Sequence, residues 1–401
     1  MIVVDASGMP DFASGARTRL RGWLAQWPQL ADAATPRPPL GLLIARGSTL
    51  LHGLELRGIE VEEVAPAGGP WQRSLARLRG GAAPSGLAAR ARLWQSETVP
   101  PCGPRGVPAL VTIHDARWAE PRAATNASLL RWLPRYLAAR HWIPRQARQW
   151  AGVVTVSPAA ARRLAHVLAL PDSRVHCIGN ATVATPTPLP RAAALELLER
   201  HGVASGSYFV ALGHLEPRKG LELALEALAL AAARCGTTER SGALPLPELP
   251  PLLVVGGGDL AGWQARAAAL QLRDRVRFVG RLADDEVATL LQHARALLFP
   301  SRYEGFGLPL YEAFALGCPV VARPLDCFES LRCDAPSATS AATLIRPEPT
   351  AAAWAAALTE LASRPPPVLP RAPLELGERF TWRDTAAGLA ALWTRTLAAR
   401  E

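Results

Sequence analysis

Short apolar runs alternate with helical patterns along this chain, and the alternation occurs in two successive sets. In the first set the apolar runs fall at residues 2–6, 42–45, 61–64, 109–114, 153–156 and 175–178. In the second set they fall at residues 208–212, 252–255, 276–279, 296–299 and 319–322. Strands that alternate with helices form parallel sheets covered by helices on both faces. The sequence therefore predicts an α/β protein with two doubly wound domains.

The boundary between the two domains is predicted at a Pro-rich stretch, residues 185–190. Stretches of this composition make extended linkers, because proline restricts the backbone and ends helices and strands. A chain of 401 residues is long enough for two domains of ordinary size. We predict a first domain over residues 1–185 and a second over 186–382, followed by a closing helical pattern over 383–401.

Composition excludes several classes of protein. No run of about 20 apolar residues exists, so no transmembrane helix is expected. The chain starts with a strand-like segment in place of the basic and then apolar pattern of a signal peptide. None of the six cysteines has C-x-x-C spacing, which favours reduced thiols over a zinc site or a disulfide framework. Together these features predict a cytoplasmic protein.

Positive charge is concentrated in the first half of the chain. Residues 1–185 hold 22 arginines against 11 acidic residues, whereas residues 186–401 hold 22 basic against 23 acidic residues. One interpretation is that the Arg- and Trp-rich stretch 131–150 lies on an anionic membrane surface, so that the protein is peripheral to the membrane. The other is an ordinary amphipathic helix with its tryptophans in the core. No nucleic-acid partner is predicted, because no nucleic-acid-binding motif accompanies the charge.

A glycine-rich segment with a glutamate at each end separates an apolar run from a helical pattern. Residues 304–312 read Glu-Gly-Phe-Gly-Leu-Pro-Leu-Tyr-Glu. Gly305 and Gly307 can adopt conformations that bulkier residues resist, and Pro309 is tolerated in a first helical turn. The other N–H groups of such a turn point outward. The segment predicts a site for an anionic or hydroxyl-rich ligand, with Glu304 at its mouth and Glu312 further in, which is the outline of a nucleotide-sugar site.

The second clue is the single lysine of the chain. Of 44 basic residues 43 are arginines, and Lys219 stands in Leu-Glu-Pro-Arg-Lys-Gly, after an apolar run and before a helical pattern. A lone lysine indicates a place where a compact ammonium is needed and a planar guanidinium would not fit. The alternative is that this lysine was retained by chance at a surface position that accepts many residue types. We predict that Arg218 and Lys219 bind a diphosphate.

Taken together, these segments resemble a known family. EPRKG at 216–220, VVGGGD at 254–259, FVGRL at 278–282 and LFPSRYEGFGLPLYEAFALGCPVV at 298–321 follow the order found in the C-terminal domain of retaining glycosyltransferases of the GT-B fold, specifically glycosyltransferase family 4 (group 1). LEPRKG is similar to the branch that holds many mannosyltransferases. Weaker similarity covers VTIHD at 111–115, VVTVS at 153–157, VHCIGN at 175–180 and FTW at 380–382. The resemblance implies two Rossmann-like domains facing a cleft, with the C-terminal helix crossing back to the first domain.

The same resemblance implies a role for each matched residue. The catalytic set would be Arg218 and Lys219 at the leaving diphosphate, Glu304 at the donor-sugar hydroxyls and His114 at the reacting sugar or acceptor. The donor-binding set would be Gly15, Gly305, Phe306, Gly307, Leu308 and Glu312. Glu312 would grip the ribose hydroxyls, and Gly15 would approach the donor phosphate. The chain departs from the family pattern at Ala16, where a second glycine is usual, and at His214, where many relatives carry arginine.

The implied reaction is transfer of a hexose, with a mannose-type donor favoured, from a nucleotide sugar to a glycan or lipid-linked acceptor in cell-envelope polysaccharide synthesis. The resemblance implies retention of the anomeric configuration. No Asp-x-Asp motif suited to a divalent cation is evident, so no metal and no cofactor are predicted, and the nucleotide sugar is a substrate. Two alternatives stay open: an epimerase or phosphorylase of the same fold, and a catalytically silent module that binds nucleotide sugars.

Overall fold

The computed structural model describes residues 1–9, 11, 14–32, 37–66, 86–120, 122, 128–181, 187–238, 249–328, 344–365 and 380–400. The chain divides into two compact units. The first unit comprises Met1–Glu120, Ser128–Ala181 and Phe380–Glu401, and the second consists mainly of Thr182–Arg379. The predicted linker at 185–190 lies partly outside the described residues.

The strands form two fully parallel sheets, one in each unit. The first sheet has the order β3-β2-β1-β4-β5-β6-β7 and the second the order β10-β9-β8-β11-β12-β13. The strands are β1 Ile2–Asp5, β2 Leu40–Ala45, β3 Ile59–Val64, β4 Leu93–Ser96, β5 Ala109–Thr112, β6 Gly152–Thr155, β7 Val175–Cys177, β8 Phe209–Leu212, β9 Leu252–Val255, β10 Val276–Gly280, β11 Ala296–Phe299, β12 Val320–Ala322 and β13 Leu344–Ile345. This confirms the predicted α/β class with two doubly wound sheets.

The described helices connect these strands. They are α1 Gly15–Gln26, α2 Gly86–Ala89, α3 Leu129–Leu137, α4 Ile143–Ala147, α5 Pro158–Leu168, α6 Arg191–Arg200, α7 Leu221–Thr238, α8 Leu260–Ala269, α9 Asp284–His293, α10 Leu308–Ala315, α11 Ala351–Ser363 and α12 Trp382–Ala398. A π-helical turn, Ala138–Trp142, joins α3 to α4. Helix α3 begins five residues before Pro134, which lies inside it. None of the described helices is long and apolar enough to cross a bilayer.

Two strands were missed by the sequence analysis, β4 and β13. β4 has the sequence Leu-Trp-Gln-Ser and no continuous apolar pattern, yet it pairs with β1 near the middle of the first sheet. Its polar side chains are buried because they find partners there. Gln95 Nε2 donates to Thr112 Oγ1 at 2.7 Å, and Trp393 Nε1 donates to Gln95 Oε1 at 3.0 Å. β13 is an edge strand of two residues, which is too short for its pattern to be recognised.

Both faces of the second sheet are covered by apolar side chains. Along β8, Val210 packs in one core cluster, whereas Phe209 and Ala211 pack in the other. A strand buried on both faces needs a near-continuous apolar sequence, which is why β8 to β12 were recognisable.

The closing helix α12 packs within the first unit, as the resemblance predicts. Its Trp393 meets two tryptophans at the end of α1 and in the turn after it. The ring centroids lie 5.9 Å apart for Trp23 and Trp393, and 5.6 Å apart for Trp27 and Trp393. All three indoles are fully buried. Aromatic rings at these separations attract one another in addition to the apolar area they bury.

Candidate active site

Most of the predicted site residues follow two neighbouring strands of the second sheet, β8 and β11. Arg218 and Lys219 come after β8, and Glu304 to Glu312 come after β11. The order β9-β8-β11 brings the carboxyl ends of these strands side by side. Ligands of open α/β sheets bind beyond the carboxyl ends of the strands, so the topology places these residues where such a site is expected.

The turns after β8 and β9 approach each other so closely that only glycine fits. Gly213 N donates to Val255 O at 3.0 Å, and Gly256 N donates to Gly280 O at 2.7 Å. A Cβ at Gly256 would lie 1.8 Å from the carbonyl oxygen of Gly213, and the φ angle of Gly256 is +144°. Both conditions exclude a side chain at Gly256. Gly256 is therefore required by backbone packing beside the site.

The basic pair lies in a single 3₁₀ turn, Pro217–Lys219, directly before α7. Gly220 ends the turn with a φ of +65°, and a Cβ there would lie 2.3 Å from the carbonyl oxygen of Pro300. On the same side, Arg302 N donates to Arg218 O at 2.8 Å. The turn is thus held against the end of β11 by backbone contacts, which fixes the direction of both basic side chains.

Arg218, Lys219 and Glu304 form one charged cluster. Lys219 Nζ lies 2.7 Å from Glu304 Oε1, and Arg218 Nη1 lies 3.3 Å from Glu304 Oε2. Arg218 Nε also lies 2.9 Å from Glu216 Oε2. The side chains of Lys219 and Arg218 are 15% exposed and that of Glu304 is 10% exposed. Two cations and Glu304 thus share a poorly hydrated place at the ends of β8 and β11, and the more exposed Glu216, at 36%, adjoins it.

The charge of Glu304 is maintained despite its burial. Burial raises the pKa of a carboxyl group, but the charges of Lys219 and Arg218 and the hydrogen bonds from Lys219 and Ser301 act in the opposite direction. The net effect places the pKa of Glu304 below its ordinary value. Glu304 is therefore ionised at neutral pH. The ammonium of Lys219 also lies 5.6 Å from the centre of the Phe299 ring, a distance at which the ring face attracts a cation.

The glycine-rich segment makes the turn into α10 that its sequence predicts. Gly307 caps the helix with a φ of +87°, and Pro309 lies in the first turn. A Cβ at Gly307 would lie 3.1 Å from Phe328 Cε1, so the position is both left-handed and crowded. Phe306 stacks on Tyr311 with ring centroids 4.6 Å apart. Gly305, Phe306 and Leu308 are partly exposed, and Gly307 is buried.

Glu312 lies on α10, in the same electrostatic neighbourhood as Lys219. The pKa of Glu312 is raised to about 7, mainly by burial and also by the charge of Asp284 at the start of α9, whereas the charge of Lys219 acts in the opposite direction. The carboxyl group is consequently close to half-protonated at neutral pH. A ligand hydroxyl that approaches Glu312 would find either an acceptor or a donor, depending on the pH.

We expect Glu312→Gln to stabilise the protein at pH 8 but not at pH 5. The folded chain binds the Glu312 proton up to a pKa of about 7, whereas the ordinary value is 4.5. The stability that the protonated group contributes is therefore complete below pH 4.5 and is lost as the pH rises through 7. The amide stays neutral, so the variant should exceed the wild type at pH 8 by about 3 kcal/mol. Thermal melts of both proteins at the two pH values measure this, and an equal difference at pH 5 and pH 8 would contradict it.

His114 lies in the first unit, two residues beyond the end of β5. Burial lowers its pKa to about 3, and the charges of Arg19 and Arg117 contribute in the same direction. The imidazole is therefore neutral at physiological pH. Its Nε2 atom is buried and has no hydrogen-bond partner within the described part of the chain. The neighbouring Asp115 accepts from Arg117 N at 3.1 Å and so caps the following turn.

Gly15 is the first residue of α1 and is exposed. The residue before it, Ser14, caps the helix, because its hydroxyl oxygen accepts from Arg17 N at 3.3 Å. Gly15 begins a helix, so residues other than glycine could adopt its backbone conformation. Gly15 and His114 belong to the first unit, whereas the other eight predicted site residues belong to the second.

The sequence analysis missed a set of buried polar side chains in the first unit, which includes Arg19 and Glu97. Arg19 is 2% exposed, and its Nη1 donates to Gly179 O at 2.9 Å and to Asn180 Oδ1 at 2.7 Å. Burial raises the pKa of Glu97, which follows β4 and accepts from Thr112 Oγ1 at 2.9 Å. One signal was available: Arg19 stands four residues before Trp23, on the apolar face of α1, where an arginine must be paired to be buried.

A separate cavity of about 530 Å³ lies in the first unit, between the loop 100–108, α4 and Arg400. None of the predicted site residues lines it. Within the described ranges, no three His, Cys, Asp or Glu side chains come together as metal ligands would. The structure does bring Arg218, Lys219 and Glu304 together after β8 and β11.

Comparison with known proteins identifies relatives of the segment that contains these residues. Residues 200–372 match the family model of glycosyl transferases group 1. O-antigen chain mannosyltransferase B of Escherichia coli is 29% identical over 42% of this chain and 42% of its own length. D-inositol 3-phosphate glycosyltransferase of Mycolicibacterium vanbaalenii is 30% identical over 54% of this chain and 46% of its own length. The chain thus matches less than half the length of these relatives.

Solved structures match the fold of nearly the whole chain even though their sequence identity is low. HepE of Anabaena, solved in complex with UDP and glucose, superposes with a TM-score of 0.66 over 98% of this chain and 99% of its own, at 18% sequence identity. WaaG, a glycosyltransferase involved in lipopolysaccharide biosynthesis, superposes with a TM-score of 0.59 over 100% and 98%, at 16% identity. Residues 200–372 therefore match the glycosyl transferases group 1 family, and the chain as a whole has the two-domain fold of GT-B glycosyltransferases.

Proposed function

We propose that this protein is a retaining, metal-independent glycosyltransferase that moves a hexose from a nucleotide sugar to a glycan or lipid-linked acceptor. The observation that carries the proposal is the meeting of Lys219, Arg218 and Glu304 at the carboxyl ends of β8 and β11. These strand ends lie within the matched group 1 segment. Cations held at such a place suit an anionic leaving group next to a hydroxyl-rich sugar.

Lys219 and Arg218 would stabilise the charge that develops on the leaving nucleotide diphosphate. Both are already held in place by Glu304, and Arg218 also by Glu216, so little reorganisation is needed when the bond breaks. Preorganised charges in a poorly hydrated site are the largest single source of rate enhancement in many enzymes. Glu304, ionised at neutral pH, would accept hydrogen bonds from the donor sugar. Glu312 would accept them from the ribose.

The reaction balances without a side chain that gains or loses a proton. The bond between the anomeric carbon and the phosphate oxygen breaks, and a bond from that carbon to the acceptor oxygen forms on the same face. The acceptor proton passes to the departing phosphate oxygen. His114 suits a positioning role here, because an imidazole with a pKa of about 3 is a weak base but still donates or accepts a hydrogen bond.

Two lines of similarity bear on the donor. One relative is named for mannosyl transfer in O-antigen synthesis, which agrees with the LEPRKG sequence and favours a mannose-type donor and a cell-envelope polysaccharide. HepE was solved with UDP and glucose, which favours a uridine nucleotide. A hexose donor is common to both, so the proposal is for a hexosyltransferase.

A donor screen tests the proposal. The full chain is incubated with UDP-, GDP-, ADP- and dTDP-hexoses and a lipid-linked or oligosaccharide acceptor, in the presence of EDTA. We expect one nucleotide class to be released in proportion to a glycoside whose anomeric coupling constant, measured by NMR, matches that of the donor. An isomerised sugar or a sugar 1-phosphate would show an epimerase or a phosphorylase. Binding of a nucleotide sugar in calorimetry, with no turnover on any acceptor, would show a silent binding module.

A further inference from the structure

The cavity of about 530 Å³ in the first unit lies at the amino edge of the first sheet. One of its lining residues, Pro108, directly precedes β5, and another, Gln149, lies three residues before β6. His114 follows the opposite end of β5. At about 3.3 Å per residue, the stretch from Pro108 to His114 separates the cavity from His114 by roughly 20 Å. The cavity is therefore distinct from the strand ends at which the predicted site residues lie.

One wall of the cavity is the loop 100–108, which contains four prolines. A hydrogen bond from Val107 N to Pro104 O, at 3.3 Å, closes a turn with Arg105 and Gly106 at its tip. Gly106 has a φ of +82°, as the third position of such a turn requires. Proline fixes the backbone in the rest of the loop. This wall is thus preformed, and the turn holds Arg105 at its edge.

Another wall is one side of a helical segment. Trp142, Gln146 and Gln149 line the cavity. Their spacings of four and three residues place them on the same side of the segment that runs from the π-helical turn through α4 and the turn after it. The indole of Trp142 is only partly buried, so it offers an apolar face to a ligand. The two amides beside it can each donate and accept hydrogen bonds.

The lining of the cavity is positively charged. Among the described residues Arg105 and Arg400 line it, whereas no aspartate or glutamate does. Both arginines are exposed, and neither belongs to an ion pair within the described part of the chain. A guanidinium group binds a carboxylate through two parallel hydrogen bonds. The charge therefore favours a ligand that carries carboxylates.

These features together select a class of ligand. An indole face packs against the C–H side of a sugar ring, amides bind sugar hydroxyls, and guanidinium groups bind the carboxylates of acidic sugars. A nucleotide fits less well, because phosphates are commonly held by backbone N–H groups at helix N-termini or in nests. Three of the lining residues are prolines, which have no N–H group, and the helical segment contributes side chains in place of its first turn. The volume lies within the range of small-molecule sites.

We propose that this cavity binds an acidic oligosaccharide, a chain of sugars that carry carboxylates, through Arg105, Arg400, Trp142, Gln146 and Gln149. Binding itself does not depend on the transfer reaction. One consequence does rest on the proposed function: a glycan held here would stay attached between successive transfers, which would raise its effective concentration at the enzyme.

Calorimetric titration of the full chain with trigalacturonate, without any nucleotide-sugar donor, tests this proposal. In about 50 mM NaCl we expect a dissociation constant of about 1 mM or below, and binding at least roughly tenfold weaker for maltotriose, a neutral trisaccharide. Because no donor is present, the result stands apart from the outcome of the donor screen.

Two double variants assign the binding to the cavity. Arg105→Gln/Arg400→Gln should weaken trigalacturonate binding by roughly tenfold or more, because each guanidinium supplies charge-assisted hydrogen bonds. Gln146→Ala/Gln149→Ala should weaken it by roughly three- to tenfold, since neutral hydrogen bonds contribute less. All four side chains are exposed or partly exposed, so thermal melts should be unchanged.

The matched control removes two exposed arginines elsewhere in the first unit, Arg46 and Arg57. Arg46→Gln/Arg57→Gln changes the net charge equally and should leave trigalacturonate binding unchanged. The proposal is overturned if trigalacturonate does not bind, if maltotriose binds equally well, or if the control loses as much binding as the arginine variant of the cavity. It is also overturned if that cavity variant weakens binding of UDP and leaves binding of trigalacturonate unchanged, which would assign the cavity to a nucleotide.

Discussion

Replacing Lys219 with methionine is expected to lower the turnover number by roughly 10²–10³-fold, the usual cost of removing one preorganised charge contact from a transition state. The ammonium lies 2.7 Å from Glu304 and is the compact cation of the pair proposed to meet the leaving diphosphate. Initial rates of nucleotide release at saturating donor measure the effect. A turnover number within threefold of the wild type would remove Lys219 from the proposed role.

The loss of Lys219 also has a structural effect that must be separated from catalysis. Without the ammonium, Glu304, whose side chain is 10% exposed, keeps Arg218 as its one ion-pair partner among the described residues. Breaking a buried pair leaves an incompletely compensated charge and costs stability. We expect Lys219→Met to melt below the wild type, and Lys219→Met/Glu304→Gln to recover most of that loss while staying inactive.

Two further variants serve as controls for this result. Lys219→Arg keeps a cation for Glu304 but replaces a point charge by a planar group. It should fold normally and still lose turnover. Arg266→Met breaks an exposed ion pair with Glu226, whose side chains are 50% and 40% exposed. It should change neither the melting temperature nor the rate measurably, because exposed pairs contribute little.

Replacing Gly256 with alanine is expected to destabilise the protein by about 3 kcal/mol or more. Two costs coincide at this position: a φ of +144° that side chains rarely adopt, and a Cβ 1.8 Å from the backbone oxygen of Gly213. A backbone atom cannot rotate away as a flexible side chain would, so β8 and β9 must separate. Urea unfolding followed by far-UV circular dichroism should show the shift as a lower midpoint.

Gly280 provides the matched control for Gly256. It has a positive φ of +75°, but nothing lies within 4 Å of the position that a Cβ would take. Gly280→Ala should therefore carry only the backbone cost, about 1–2 kcal/mol. If the two variants have equal urea midpoints, the close approach of Gly213 and Gly256 is not the reason that Gly256 cannot carry a side chain.

Some elements could be predicted because the residues that determine them lie close together in the sequence. The alternation of apolar runs and helical patterns reflects side-chain periodicity, which is visible within a window of a few residues. The turn into α10 is also local, because Gly307 and Pro309 constrain their own backbone. β4 was not predictable in this way. Gln95 is buried there, and what permits its burial is the pair of partners Thr112 and Trp393, which are 17 and 298 residues away in the sequence.

The burial of Arg19 likewise depends on partners that are distant in the sequence. Arg19 is acceptable in the core of the first unit because Gly179 and Asn180, 160 and 161 residues away, accept its hydrogen bonds. A sequence pattern shows that an arginine stands on an apolar helix face. It does not show whether the fold will supply acceptors for it.

By itself the sequence determined the α/β class, the two sets of strands and the strand–turn–helix around Glu304. It also singled out the one lysine of the chain. Only the tertiary structure decided that Lys219 and Glu304, 85 residues apart, form one ion pair. The reason is topological: parallel strands become neighbours through the order of the sheet, and the placement of β8 beside β11 brings two distant turns together at one edge.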